Sequence, residues 1–465
     1  VASQTNNALP LQVAIIGGGP AGFYTAQALF RARPDIQVDL YERLPSPFGL
    51  VRSGVAPDHQ KLKRPIRLYE QIAHHTNFNL IANVTVGVDL PIAALSQCYH
   101  AVVLANGTEG GRRMNIPGEH LSGCHSATAF VGWYNGHPDF RDHVFDLSHE
   151  NAIIVGQGNV AIDVCRILTK TVEELRHTDV AKHALDALAE SRIRQVYLVG
   201  RRGPVQAKFT YQELKELTEL SACVLETSAE ELILNPASET ELAKSDGATR
   251  DRVRNYETLK KFAIESLSTK PRQCTLRFLL SPIKLMGDQR LQQVMFERNR
   301  LTGPVGQQAA LGTGEYETID CGLLLSSIGY QGTPMTGVPF DSAQGIIPNQ
   351  QGRVLDNDNP VPGLYAVGWV KRGPTGLIGT NKADAKETVT ALLSDLSNHT
   401  QSIRTGLAGI LPLLKQQSIK VVHFSDWQKI DQIEIERGLV KAKPREKFTR
   451  VADMLSVVAT ESNNP

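Results

Sequence analysis

A strand, a glycine turn and a helix, written twice, constrain this chain more than any other feature. The first copy reads VAIIGGGPAG from Val13 to Gly22, and the next apolar run, VDLYE, ends on Glu42, 20 positions beyond Gly22. The second reads AIIVGQGNVA from Ala152 to Ala161, and its next run, VYLVG, is followed by Arg201 and Arg202. A short apolar strand stopped by glycine and followed by a helix opens a βαβ unit of a parallel sheet. Gly17 permits the tight turn, Gly19 lets a pyrophosphate approach the backbone, and Gly22 allows close helix–strand packing. Gly156, Gly158 and Ala161 take the same parts in the second copy, where a small third residue suffices. The two copies end differently. A carboxylate at the end of the second strand accepts hydrogen bonds from ribose hydroxyls, whereas an arginine pair suits a 2′-phosphate. FAD is therefore expected in the first unit and NADP(H) in the second, the equipment of a hydride-transferring flavoenzyme.

At 465 residues the chain is too long for one core and fits two or three domains. Its formal net charge of +1 gives no global reason to expect nucleic acid or a membrane surface as partner, so any charged docking face must be local. The 6 cysteines never come closer than 26 positions, which leaves no CxxC or zinc spacing; no metal is expected. Their scatter suits buried thiols in a reducing compartment. No apolar stretch reaches the roughly 18 to 20 residues of a membrane helix. The opening VASQTNNALPLQ lacks both a basic and an apolar region and does not read as a signal peptide. Cytoplasm is the expected location, with the mitochondrial matrix after removal of a targeting segment as the alternative.

Between the two units, Pro45 to Pro65 is polar and rich in Pro and Gly, and reads as an irregular excursion over the site. Helical sequence after Asn159, continuing to Glu190, makes the second unit longer than usual. Glu213 to Leu220 is helical in pattern, and Pro236 to Thr269 is polar with one strongly basic helical piece. From Leu323 the strand-like runs LLLSSIGY and LYAVG return, and a glycine-rich turn then leads into a helix. The expected fold is α/β, with two Rossmann-like dinucleotide-binding domains. An NADP domain over 109–328 is inserted in a discontinuous FAD domain made of 1–108 and 329–465.

Several longer segments carry a family resemblance. SPFGLVRSGVAPDHQ (Ser46 to Gln60), PGEHLSGCHSATAFVGWYNG (Pro117 to Gly136), VGQGNVAIDVCRIL (Val155 to Leu168), RRGPVQAKFTYQELKEL (Arg201 to Leu217) and VGWVKRGPTGLIGTNKADA (Val367 to Ala385) resemble the adrenodoxin reductase family. The likeness is greatest to its bacterial FprA-type ferredoxin–NADP⁺ reductases. It implies a glutathione-reductase-like fold without the redox-active disulfide. It further implies that Ala21, Glu42, Leu50 and Val86 line FAD, and that Trp369 with Gly376, Leu377 and Ile378 approaches the flavin ring. Asn159 and Val160 would serve the NADP pyrophosphate, and Glu213 the nicotinamide carboxamide. His59 and Asp163 would lie by the flavin, His59, Asp163 and Glu213 forming the catalytic set. The chain departs from the family pattern at Ser53, Gln60, Asn106 to Thr108, and Lys208, where a small apolar residue is usual.

The stretch ATRDRVRNYETLKKF places Arg250, Arg252 and Arg254 on one basic helix. An acidic ferredoxin-type iron–sulfur protein would be steered by such a surface. A second basic cluster, Lys441, Lys443, Arg445, Lys447 and Arg450, is a weaker candidate for the same role. The reading that unites these features is an FAD-containing NADPH:ferredoxin oxidoreductase. Its rivals are an NADPH oxidoreductase acting on quinones or other small acceptors, and a dinucleotide sensor without turnover.

Overall fold

The computed structural model describes residues 10–244, 247–263, 269–397 and 403–459. Most of the N-terminal stretch discussed above, and parts of the Pro236 to Thr269 segment, lie outside them. Two sheets organise the chain. The first has seven strands, in the order Asn349–Gln350, Arg353–Asp356, Asn359–Ala366, Ala101–Leu104, Gln12–Ile16, Gln37–Glu42 and Phe78–Ala82. The last five of these run parallel, so strands from both ends of the sequence share one sheet. The second sheet has six parallel strands, in the order Cys124–Ser126, Leu323–Ser326, Asn151–Val155, Gln195–Val199, Arg272–Arg277 and Cys223–Thr227.

Burial on both faces explains why these strands are continuous apolar runs rather than alternating ones. Val13 and Ile15 pack with Phe23, Tyr69, Val389 and Trp427 of the helices on one side. Ala14 and Ile16 pack with Leu95, Ile410 and Leu414 on the other. In the second sheet, Ile154, Val196 and Leu198 meet the helix Asn159–Thr169 and the helix Tyr211–Thr218. Its other face, with Ile153, Val155 and Val199, is covered by Leu285, Val294 and Phe296. Those three belong to an antiparallel sheet of Leu280–Met286, Gln293–Thr302 and Ala309–Asp320. The sequence reading had no place for this sheet, because its exposed outer strand carries little apolar signal. The excursion from Pro45 to Pro65 is also more regular than expected: it contains the helix Gly49–Ser53 and the short 3₁₀ turn Gln60–Lys63. Helical sequence after Asn159 divides into Asn159–Thr169, Val172–Arg176 and Lys182–Ala189.

The chain passes between the two sheets twice, and the crossing segments pair with each other, Gly110–Gly111 antiparallel to Tyr330–Gln331. A buried ionic network holds the same junction. Asp179 accepts from Lys63 through both oxygens at 2.7 Å and lies 3.1 Å from Lys447. Lys447 also donates to the carbonyls of Arg52 and Asn135, each at 3.1 Å. Arg52 forms a two-pronged contact with the buried Glu434 at 2.8 and 2.6 Å, which in turn accepts from the Phe448 amide at 2.8 Å. Much of the C-terminal basic cluster is therefore internal stitching, with Lys441 and Arg450 left exposed. Lys443 and Lys447 are buried, Arg445 pairs with Asp431, and Arg450 lies 2.7 Å from Asp142. The cysteines, all free, include a pair no spacing foretold: Cys165 and Cys274 bring their sulfurs to 3.0 Å inside the second core.

Burial works to raise the Asp179 carboxyl, but Lys447 and Lys63 outweigh it and hold it well below the ordinary carboxylate range. Its stabilising contribution is thus complete above about pH 4 and is lost as the pH falls through the lower, folded value. Asp179→Asn leaves two buried lysines without their carboxylate. It should lower unfolding free energy at pH 7 by about 3 to 5 kcal/mol, with the deficit narrowing below pH 4. Urea denaturation at both pH values checks this, and a loss under about 1 kcal/mol would mean that the lysines find water instead.

Candidate active site

Both fingerprint loops are built in the same way. Gly17 sits at φ +112°, its amide donates to Tyr41 O at 2.8 Å, and Ala105 N donates to Ile16 O at 2.7 Å. Gly156 sits at φ +129°, its amide donates to Val199 O at 2.8 Å, and Ser327 N donates to Val155 O at 2.7 Å. A Cβ would fall 2.5 Å from Ala105 O in the first loop and 2.2 Å from Ser327 O in the second, so only glycine fits. Gly22 packs its helix onto the loop, where a Cβ would meet Gly17 O at 2.1 Å. The middle glycines differ in kind. A Cβ on Gly19 would meet nothing nearer than 4.0 Å and one on Gly158 nothing within 4 Å, so both face open space. The first helical bonds are Phe23 N to Gly19 O and Ala161 N to Gly158 O. The amides of Ala21 and Gly22, and of Asn159 and Val160, thus stand at helix N-termini without intrahelical acceptors. These are two anion cradles, each with a bare glycine at its centre.

Their side-chain partners differ as the sequence suggests. Glu42 is pinned over the first loop, accepting from Gly18 N at 2.8 Å and from Leu44 N at 3.0 Å. Burial raises its carboxyl and these two amides partly counter that. One lone pair on each oxygen remains for further donors. At the second loop Arg201 is exposed, and its carbonyl is held by Asn299 at 3.0 Å. Arg202 is half-buried, and burial followed by the adjacent Arg201 lowers its guanidinium below the usual arginine range. Two crowded cations of this kind are relieved by an incoming dianion.

Of the remaining expected contacts, the segments of Leu50 and Trp369 stand beside the first loop. Gly49, at φ +49°, starts the helix carrying Leu50 directly over Gly19. Val86 is buried, and a Cβ on Gly368 would lie 2.6 Å from Ala21 Cβ, which places Trp369 beside the first helix N-terminus. Trp369 donates from its indole to Thr375 O at 3.2 Å and packs 5.3 Å from the Tyr330 ring. Gly376 and Leu377 are exposed and Ile378 is half-buried, Leu377 at 69%. An exposed leucine in a glycine-rich turn, next to an aromatic wall, offers an apolar edge to a planar ligand.

His59, Asp163 and Glu213 come from three distant segments and meet. His59 Nε2 lies 2.6 Å from Glu216 Oε2, and its Nδ1 lies 3.6 Å from Asp163 Oδ1. Arg166 donates to Asp163 at 2.7 Å, pairs closely with Asp58, and stands 3.5 Å from Glu216. Lys170 adds a second cation, 2.7 Å from Asp58. Burial would raise the Asp58 carboxyl, but Arg166 and Lys170 hold it at about 2. Four carboxylates thus face two fixed cations, and Glu213 is the one that holds on to its proton. That residue is buried, its Oε2 has no hydrogen-bond partner among the described residues, and burial followed by Asp163 pushes its carboxyl up to about 7. Asp58, Arg166, Glu216 and Tyr330 escaped the sequence reading. A helical-face signal existed for two of them, since Arg166 and Glu216 each follow an expected residue by three positions. Of the basic helix, Arg252 pairs with the buried Glu241 at 2.6 Å while its side chain stays 40% exposed, and Arg250 and Arg254, one turn apart, are exposed.

Residues 11–203 match the family model of pyridine nucleotide-disulphide oxidoreductases. The chain is 46% identical over 461 residues to the mitochondrial NADPH:adrenodoxin oxidoreductase of Salvelinus fontinalis, covering 96% of this chain and 91% of that protein. To the human protein of the same name it is 44% identical over 462 residues, covering 96% and 92%. The NADPH-ferredoxin reductase FprA of Mycobacterium tuberculosis is 39% identical over 469 residues, covering 96% and 99%. A solved structure of Mycobacterium tuberculosis FprA in complex with NADPH superposes with a TM-score of 0.91, at 39% identity and over 96% of this chain and 99% of that one.

A carboxyl that keeps its proton in the fold up to about pH 7 costs nothing below its ordinary value of 4.5, and destabilises the fold increasingly between the two. Glu213→Gln removes that cost. The variant should therefore gain stability relative to the parent on going from pH 5 to pH 8, by about 2 to 3 kcal/mol. Melting temperatures of both proteins at the two pH values measure it. An equal difference at both would place the proton elsewhere.

Proposed function

The chain belongs to the family of NADPH:adrenodoxin oxidoreductases and FprA-type ferredoxin–NADP⁺ reductases, and on that premise we propose that it is an FAD-containing NADPH:ferredoxin oxidoreductase. The observation that carries this reading is that the segments following the two dinucleotide cradles meet in one ionic cluster. Asp58 and His59 come from the excursion after the first unit, and Asp163, Arg166, Glu213 and Glu216 from the second. Two cofactors bound in those cradles would present their reacting ends to the same place. The residues fit both groups: open backbone at Gly19 and Gly158 admits a pyrophosphate, Glu42 keeps acceptors for a ribose, and Arg201 with Arg202 answers a 2′-phosphate.

FAD, when bound, supplies the conversion of a two-electron hydride into single electrons. The protein's part is to bind, orient and exclude. In this reading Gly17, Gly19, Ala21, Gly22, Glu42, Leu50 and Val86 hold the flavin nucleotide, and Trp369 with Gly376 to Ile378 borders its ring. Gly156, Gly158, Asn159 and Val160 take the nicotinamide nucleotide's pyrophosphate. Glu213, carried on the helix Tyr211–Thr218, orients the carboxamide, its carboxyl able to accept or donate near neutral pH. His59, fixed between Glu216 and Asp163, keeps its ring oriented toward the flavin region. Sheet membership and the paired crossings at 110–111 and 330–331 support an FAD domain of 1–108 and 329–465 with an NADP domain of 109–328. No helix among the described residues is long and apolar enough to cross a membrane. Six free thiols favour a reducing compartment, cytoplasm or mitochondrial matrix.

The electron acceptor is read as an acidic iron–sulfur protein, docking on Arg250 and Arg254 of the helix Gly247–Phe262. Replacing Arg201 and Arg202 together by Ala should remove two charge-assisted contacts of about 1.5 to 3 kcal/mol each, raising the Kd for NADPH at least a hundredfold and leaving that for NADH nearly unchanged. Equal losses for both cofactors would overturn the 2′-phosphate assignment. Reversing Arg250 and Arg254 to Glu should slow ferredoxin association and flatten its dependence on salt, with flavin reduction by NADPH unaltered. Stopped-flow traces at several ionic strengths separate the two steps, and an unchanged association rate would remove this face from the docking site.

A further inference from the structure

Lys208 occupies a position that neither fingerprint motif includes. It lies in the extended stretch between the turn Pro204–Gln206 and the helix Tyr211–Thr218, with Phe209 turned into the core and Lys208 exposed. Its backbone is tied directly to the second glycine loop: Lys208 N donates to Gln157 O at 2.8 Å, and two residues later Thr210 N donates to Asn159 Oδ1 at 2.9 Å. The stretch therefore runs along one wall of the cradle formed by Gln157, Gly158 and Asn159. That cradle is open at Gly158, where a Cβ meets nothing within 4 Å. Its floor is the N-terminus of an 11-residue helix that has no acidic residue in its first turn. The Lys208 ammonium stands outside the ion pairs of the described residues, unlike Lys182 and Lys260, which neighbouring carboxylates hold at 2.6 and 2.7 Å, and so, as at several other exposed lysines, its charge is not already committed to a carboxylate.

The geometry points to Lys208 as a cationic arm that closes over the pyrophosphate of the nicotinamide nucleotide. The assignment rests on the reading of the 156–159 loop as the pyrophosphate cradle. Lys208 then divides labour with Arg201 and Arg202. The arginines see only the 2′-phosphate and select NADP(H) over NAD(H), while Lys208 sees what the two nucleotides share. A flexible, strongly hydrated point charge suits that task, as it follows a pyrophosphate without demanding bidentate geometry. The backbone bond at Lys208 N does not depend on the side chain, so substitution there should leave the wall in place.

Equilibrium titrations of the oxidised holoenzyme with NADP⁺, NAD⁺ and 2′-AMP test this, using Lys208→Ala, Lys208→Arg and Gly158→Val. Lys208→Ala should weaken NADP⁺ and NAD⁺ by the same factor, about three- to tenfold, leave 2′-AMP unchanged, and reduce the salt dependence of both dinucleotides. Lys208→Arg should restore most of the affinity. Weakened binding of NADP⁺ and 2′-AMP but not NAD⁺ would move the lysine to the 2′-phosphate, and no change in any ligand would make it a solvated charge; either result overturns the assignment. Gly158→Val separates the premise from the inference. Room for its side chain exists in the protein, so loss of both dinucleotides at unchanged flavin content confirms the cradle, whatever Lys208 does. Retention of both would remove the premise and the arm together.

Discussion

Two dinucleotide cradles are useful to a hydride-transfer enzyme only if their reacting ends are held at a fixed separation, since rates fall steeply with misplacement of the reacting atoms. Two sheets joined by a pair of short crossings would not meet that demand unaided. Ion pairs that span the junction supply the constraint. Asp179 of the second unit takes Lys63 of the first and Lys447 of the C-terminal segment, and Arg166 of the second takes Asp58 of the first. Buried charges of this sort are poor sources of net stability, because desolvation offsets much of the attraction. What they provide is specificity of arrangement: only one juxtaposition of the units leaves none of these charges unpaired. The C-terminal segment matters for the same reason, as Glu434 of the helix Phe424–Leu439 and Lys447 of the stretch after it bring their charges to the junction from the far end of the sequence.

The same junction sets the electrostatics of the active site. Arg166 serves as a structural tie through Asp58 and as a site residue through Asp163 and Glu216. Its charge and that of Lys170 satisfy Asp58 first, the carboxyl they hold lowest. Asp163 and Glu216 share what remains, Glu216 with help from His59. Glu213, buried and last in line, retains its proton to near neutrality. A carboxyl poised there can donate or accept at the pH where the enzyme works. Its value follows first from burial and then from the nearby Asp163, with His59 and Arg166 pulling the other way.

Much of this molecule was legible in its sequence. The two glycine loops, the strands before them, the helices after them and the opposed charges at Glu42 and Arg201 are each encoded within one short unit, 13–42 for the first and 152–202 for the second. Less was legible where exposure or long-range pairing decides. The antiparallel sheet of 280–320 has an outer strand, Ala309–Asp320, with no buried residue, so neither period nor apolar content announced it. The basic run from Lys441 to Arg450 reads as a surface patch by composition, yet Lys443 and Lys447 are inside. Arg252 shares a basic helix with Arg250 and Arg254, but two positions along a helix is more than half a turn, and that turn faces Glu241.

By itself the sequence determined the two glycine loops and the opposite charges that follow them, Glu42 after the first and Arg201 with Arg202 after the second. Glycine at a positive φ, a bare glycine at a helix start and the residue ending the next strand are local requirements, met within one βαβ unit. Tertiary structure alone decided that His59 meets Glu216 across 157 positions and that Asp179 meets Lys447 across 268. It also decided that Cys165 lies beside Cys274. Those meetings follow from the order of strands in the two sheets and from the path of the C-terminal helices. A charge carries no record in its own neighbourhood of the partner that a distant crossing will bring to it.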